Sequence, residues 1–124
     1  MKALSTKNAP AAIGPYSQGI EANGFVYVSG QLPINPSTGK FVEGGIQAEA
    51  RQSLTNIKNI LIEAGFDMKN VVKVTVLLTD IANFAVVNDV YAEFFESPYP
   101  ARSAFAVTAL PKGANIEIEA IATK

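Results

Sequence analysis

The sequence predicts an α+β fold: a mixed sheet of about six strands with two helices on one face, in the order ββ(β)αβαββ. Three observations carry it. An Asn23-Gly24 pair sits between two strand-like runs, two segments repeat apolar residues at helical spacing, and two late strands are apolar on both sides. At 124 residues and 48% apolar content, the chain is expected to form a single domain, 1–124, around one core.

The elements follow in order. Gln18–Ala22 and Phe25–Ser29 flank Asn23-Gly24, a strong hairpin signal because both turn residues must accept positive φ. Asn35-Pro36-Ser37-Thr38-Gly39 is a cluster of turn formers, and Lys40–Val42 after it is a possible short strand. From Ile46 to Ala64, the residues Ala50, Leu54, Ile57, Leu61 and Ala64 draw one stripe down a helix, which Gly65 is placed to cap. Val71–Leu78 is rich in β-branched residues and too short for a normal helix, so it reads as a buried strand with Val72, Val74, Val76 and Leu78 on one side and Val71 and Leu77 on the other.

Asp80 opens a polar turn. Phe84, Val87, Tyr91 and Phe94 then repeat at helical spacing through a second helix that must stop before Pro98, with Phe94 and Phe95 assigned to the core. Ala101–Ala109 and Asn115–Thr123 are the last two strands, and Ile121 lies on the opposite side of its strand from Ile116 and Ile118. Two helices can cover only one face of such a sheet. The apolar residues on both sides therefore predict that another subunit covers the second face.

Composition excludes several classes of chemistry. Ten Lys and Arg balance eleven Asp and Glu, giving a net charge of -1 with no basic patch, so nucleic-acid binding is not expected. No run is long enough to cross a bilayer and no secretory signal opens the chain, which leads to the expectation of a cytoplasmic protein without membrane association. With no Cys and no His, the chain cannot build a thiol nucleophile, a Ser-His-Asp triad or a typical zinc site, and no metal site is expected. Glycine-rich phosphate loops are also lacking, which argues against dinucleotides and nucleoside triphosphates. Carboxylates, Lys, Arg, Tyr, hydroxyls and backbone amides remain.

Among these, Arg102 opens an otherwise small, apolar strand, and its planar fork suits a carboxylate. On residues alone the plainer reading has precedence: an edge-strand arginine with its head in solvent or paired with a protein carboxylate. Glu117 and Glu119 alternate with Ile116 and Ile118, so both carboxylates share one face of the last strand and could order a water or simply be solvated. Gly14-Pro15-Tyr16-Ser17-Gln18-Gly19 places an aromatic hydroxyl where backbone can approach a ligand, although an ordinary turn explains it equally well. Ser29-Gly30-Gln31 could form a hydrogen-bonding rim or a bulge. Asn88 lies on the second helix's stripe, where a buried amide would need a partner.

Taken together, Ala9-Pro10, Ile13–Gly19, Val28–Pro33, Asn56–Gly65, Val71–Val76, Phe84–Asn88, Pro100–Ser103, Leu110–Lys112 and Ile116–Glu119 resemble, in order and spacing, the Rid or YjgF-type family along nearly the whole chain. The resemblance implies a chorismate-mutase-like α+β homotrimer with ligand clefts between subunits. It also implies hydrolytic deamination of reactive 2-imino and enamine acids (2-aminoacrylate, 2-aminocrotonate) to 2-oxo acids and ammonia, without a cofactor. In such members the arginine of the Pro-Ala-Arg-Ser motif, here Arg102, binds the substrate carboxylate. Carried over, Tyr16 and Ser29 line the cleft, Gly30 offers its backbone, Glu117 positions the attacking water and Asn88 supports. Many relatives have Cys two residues after the arginine, where this chain has Ala104, which serves if that position contributes only backbone groups. The rival from another class is a non-catalytic trimeric metabolite sensor acting on a partner protein. A ribonuclease reading attached to parts of the family fits poorly, for want of His and of a basic surface.

Overall fold

The computed structural model describes residues 1–124. Its main sheet has six strands in the spatial order β1-β2-β3-β8-β6-β7: β1 is Lys2–Leu4, β2 Gly19–Ala22, β3 Phe25–Gln31, β6 Val71–Leu78, β7 Ala101–Ala106 and β8 Ile116–Thr123. All neighbours are antiparallel except β6 and β7, which run parallel and are joined through the second helix. Two short strands, β4 (Ile34–Asn35) and β5 (Lys40–Phe41), pair separately. The helices are α1 (Gly45–Glu63) and α2 (Phe84–Ala92). Neither is long and apolar enough to cross a membrane.

The expected hairpin forms as its stereochemistry requires, with Asn23 at φ 52° and Gly24 at φ 81°. The possible strand after Gly39 exists, and its partner Ile34–Asn35 escaped the sequence reading because two residues show no periodicity. β1 escaped for the same reason: of its three residues only Leu4 is buried, and pairing with β2 is what makes it a strand. Ala50, Leu54, Ile57 and Leu61 of α1 are buried as the stripe predicted, joined by Ile60, Ser53 and Asn56. Past its end Gly65 takes φ 78°, and Phe66 N–H closes back on Leu61 O at 2.9 Å. Helix α2 is shorter than its apolar pattern, but Phe94 N–H still bonds Tyr91 O at 3.0 Å, a tightened last turn that keeps Phe94 in helical phase. Phe95 is buried in the core and Phe94 packs against it.

One expectation fails. Val71 is buried and Val72 is exposed, the reverse of their expected sides, because a bulge between Val71 and Lys73 shifts the register against β8. Beyond it the alternation recovers, and Val74, Val76 and Leu78 enter the core beside Ile116, Ile118, Ala120 and Ala122. Strand β7 ends at Ala106 rather than Ala109, its last ladder bond running from Val107 N–H to Leu78 O.

The core lies between α1, α2 and one face of the sheet. Each large aliphatic side chain fully buried there, such as Leu54, Ile57, Ile60 or Leu61, contributes about 1.5–3 kcal/mol. The opposite face has no helix. By register it carries Tyr27, Lys73, Thr75, Leu77, Ser103, Phe105, Glu117, Glu119 and Ile121, with Tyr27 46% and Phe105 49% exposed.

Buried polar side chains tie the loops to this core. Gln18 donates to Thr6 O, Ala9 O and Pro10 O and accepts from Thr6 N, pinning the N-terminal segment over β2. Asn56 donates to Leu32 O at 3.2 Å and Ile34 O at 3.0 Å, fastening the loop after β3 to α1. Replacing Asn56 by Ala strands two carbonyls, so urea unfolding should show a loss of about 1–3 kcal/mol.

Candidate active site

Arg102 is the second residue of β7, on the helix-covered side of the sheet. Although the residue is exposed, its guanidinium does not extend freely into solvent. Its carbon lies 5.1 Å from the Phe84 ring centroid and 4.7 Å from that of Tyr91, and Nη1 donates to Asn88 Oδ1 at 2.6 Å. No carboxylate of the chain pairs with it; the one ion pair joins Arg51 and Glu93. Of the two plain alternatives, pairing with a protein acid is therefore not what occurs. Asn88 is exposed rather than buried in the stripe, and its partner is the arginine itself.

Together with Tyr91, Ala92, Tyr99 and Pro100, these two residues line a groove of about 440 Å³. Strand β7 is a sheet edge. Because Val107 N–H points at β6, alternation turns the backbone N–H and C=O of Arg102, Ala104 and Ala106 toward the open edge. The Ala104 methyl packs toward the core, while its peptide groups lie on the same free edge as Arg102.

Tyr16, Ser29, Gly30 and Glu117 come together elsewhere, in a cavity of about 670 Å³ also lined by Ile13, Gln31 and Lys112. Ser29 Oγ donates to Ser17 O, and Tyr16 OH accepts weakly from Ile13 N–H at 3.4 Å. The register breaks between Val28 and Gln31, so the bulge reading of that segment holds, and Ser29 and Gly30 line the cavity. Burial pushes the Glu117 carboxyl above the usual carboxylate range, and neighbouring Glu119 adds to the shift. Such a carboxylate is a better proton acceptor than a solvated one.

Gly30 is required by this carboxylate. A Cβ built there would fall 2.7 Å from Glu117 Cδ and closer still to Oε1. Gly30→Ala must therefore displace the carboxylate, and we expect turnover to fall at least about tenfold with a smaller fall in melting temperature, measured side by side. Lys112, with φ 58°, is a cavity residue that sequence reasoning did not single out. The Leu110-Pro111-Lys112-Gly113 turn was the available signal for Lys112.

The two groups do not meet within one chain. Glu117 shares a row with Leu77 and Phe105, so Arg102 lies two strands across and three residues along, roughly 14 Å away between Cα atoms. Their side chains also leave opposite faces, Arg102 toward α2 and Glu117 toward the uncovered side.

Fold and site together define a small mixed-sheet α+β protein that holds a pinned arginine without an acidic partner of its own chain and, separately, a cavity glutamate whose pKa is raised by burial. That chemistry suits small organic acids. The family model described as Endoribonuclease L-PSP matches residues 6–124, and the chain belongs to this family, the Rid or YjgF family of the sequence reading. A bovine (Bos taurus) relative named 2-iminobutanoate/2-iminopropanoate deaminase is 56% identical over 99% of this chain and 90% of its own length. Among solved structures, the Rid-family protein YyfA from Yersinia pestis is 52% identical with a TM-score of 0.96, covering 99% of this chain and 98% of its own. E. coli TdcF with bound serine is 43% identical with a TM-score of 0.94, covering 100% of this chain and 99% of its own.

Proposed function

We propose that the protein is a cofactor-free deaminase that hydrolyses 2-imino acids and their enamine tautomers, of the 2-aminoacrylate and 2-aminocrotonate type, to 2-oxo acids and ammonia. The observation that carries this reading is the Arg102 guanidinium, held on two aromatic rings and Asn88 with no acid of its own chain to neutralise it. The names of relatives that match nearly the whole of this chain, from mammals and Arabidopsis thaliana, agree with it.

The working unit is a homotrimer of single-domain chains in the cytoplasm, with the helix-free sheet face covered by neighbouring copies and no nucleic acid or membrane engaged. Arg102 of one copy and the Tyr16, Ser29, Gly30 and Glu117 cavity of the next close on one substrate, since within one chain they stand apart. Arg102 grips the carboxylate, and the free backbone of Ala104 faces the same cleft. Glu117 takes a proton from water as its oxygen attacks the C=N carbon and passes it to the nitrogen, giving the carbinolamine; it then takes the hydroxyl proton and delivers it to the nitrogen as the C–N bond breaks, releasing 2-oxo acid and ammonia. Atoms balance as imine plus water.

The test follows 2-aminoacrylate decay in competition with semicarbazide. Faster pyruvate release with wild-type protein supports hydrolysis, and a wild-type rate no better than that of Arg102→Ala overturns it. A sensor would bind 2-oxobutanoate in a calorimeter without turnover.

A further inference from the structure

We infer that Tyr91 is a positioning residue for the anion-binding arginine, acting through its ring as the floor on which the Arg102 guanidinium is set before ligand arrives. The inference rests on the proposed deaminase reading for its assay, but on separate observations for its substance. Tyr91 is 5% exposed, yet it lines the same groove as Arg102. Its ring centroid lies 4.7 Å from the guanidinium carbon, and within the core the ring pairs with that of Phe95, 4.5 Å away between centroids.

A free arginine side chain carries large rotamer entropy, which a ligand must remove when it binds. Here that ordering is done in advance from three directions. Tyr91 and Phe84 supply faces, and Asn88, three residues before Tyr91 on the same side of α2, accepts from Nη1. The guanidinium edge away from Asn88 is left for a carboxylate. The Tyr91 hydroxyl is buried without a hydrogen-bond partner, so the residue is not retained here for a polar contact within the chain. A tyrosine ring over a cation accounts for its place under Arg102.

The experiment compares Tyr91→Leu, Tyr91→Met and Tyr91→Phe in the full-length protein, measuring KM, kcat and melting temperature. The floor predicts that Leu and Met raise KM for the imine about tenfold while kcat changes less than about threefold, because the carboxylate grip loosens and the water-activating group is untouched. Phe, which keeps the ring, restores KM to within about twofold of wild type. Met matches Leu in volume but is unbranched and can fill the irregular gap left by the ring, which keeps the test usable should Leu unfold the core. A wild-type KM in folded Leu or Met protein overturns the inference, as does Phe raising KM as far as Leu. Arg102→Ala runs in parallel. If it leaves turnover unchanged, the deaminase reading itself fails; if it abolishes turnover while Leu and Met keep wild-type KM, only the positioning role fails.

Discussion

Replacing Glu117 by Gln lowers kcat for imine hydrolysis between about 100-fold and 10,000-fold and leaves KM nearly unchanged, measured by the semicarbazide competition. The amide keeps the size of the side chain and the fit against Gly30, and loses only the ability to accept a proton from water. The pH profile supplies an independent check. Burial and Glu119 raise the folded pKa of Glu117, so the acid limb of wild-type activity lies at higher pH than an ordinary glutamate would place it. Stability carries the same sign. A carboxyl whose pKa rises on folding contributes stability that is fully present below its unfolded pKa and is lost as pH rises through the folded value. The Gln variant, uncharged throughout, therefore melts no lower than wild type at neutral pH. A large fall in its melting temperature would mean that lost activity came from lost structure.

Arg102→Ala lowers kcat/KM about 100-fold, the size expected for charge-assisted hydrogen bonds to a carboxylate in a sheltered cleft. Arg102→Lys recovers little of this, because an ammonium keeps the charge but gives up the planar fork and the face-on stack over Phe84 and Tyr91. Folding should suffer far less than activity, since the contacts with the Phe84 and Tyr91 rings contribute only about 0.5–1 kcal/mol each. Arg102 has no ion pair to lose and only one hydrogen bond, from Nη1 to an exposed Asn88. Activity falling while the melting temperature holds is the signature of a ligand-binding arginine. Equal losses of both would reassign it to structure.

Much of the architecture was legible in the sequence because it depends on near neighbours. The Asn23-Gly24 turn, the α1 stripe ending at Gly65 and the alternation of Ile116 and Ile118 with Glu117 and Glu119 each follow from residues a few positions apart. β1 and β4 were not legible, since strands of three and two residues exist only through their partners. The same limit explains Val71 and Val72, whose sides are set by a bulge against β8 rather than by their own alternation.

The candidate site divides in the same way. Residue type singled out Arg102, Glu117, Tyr16, Ser29, Gly30 and Asn88, each beside a plain structural reading, and the family resemblance gave them roles and added Ala104. Local sequence thus determined the elements, the turn stereochemistry and the chemically able groups. Tertiary structure alone decided that Asn88 serves the arginine, that Gly30 makes room for Glu117, and that Arg102 and Glu117 leave opposite faces of one sheet. The physical reason is that periodicity within a strand says which residues share a face, whereas strand order, bulges and helix placement arise from contacts between segments far apart in the chain.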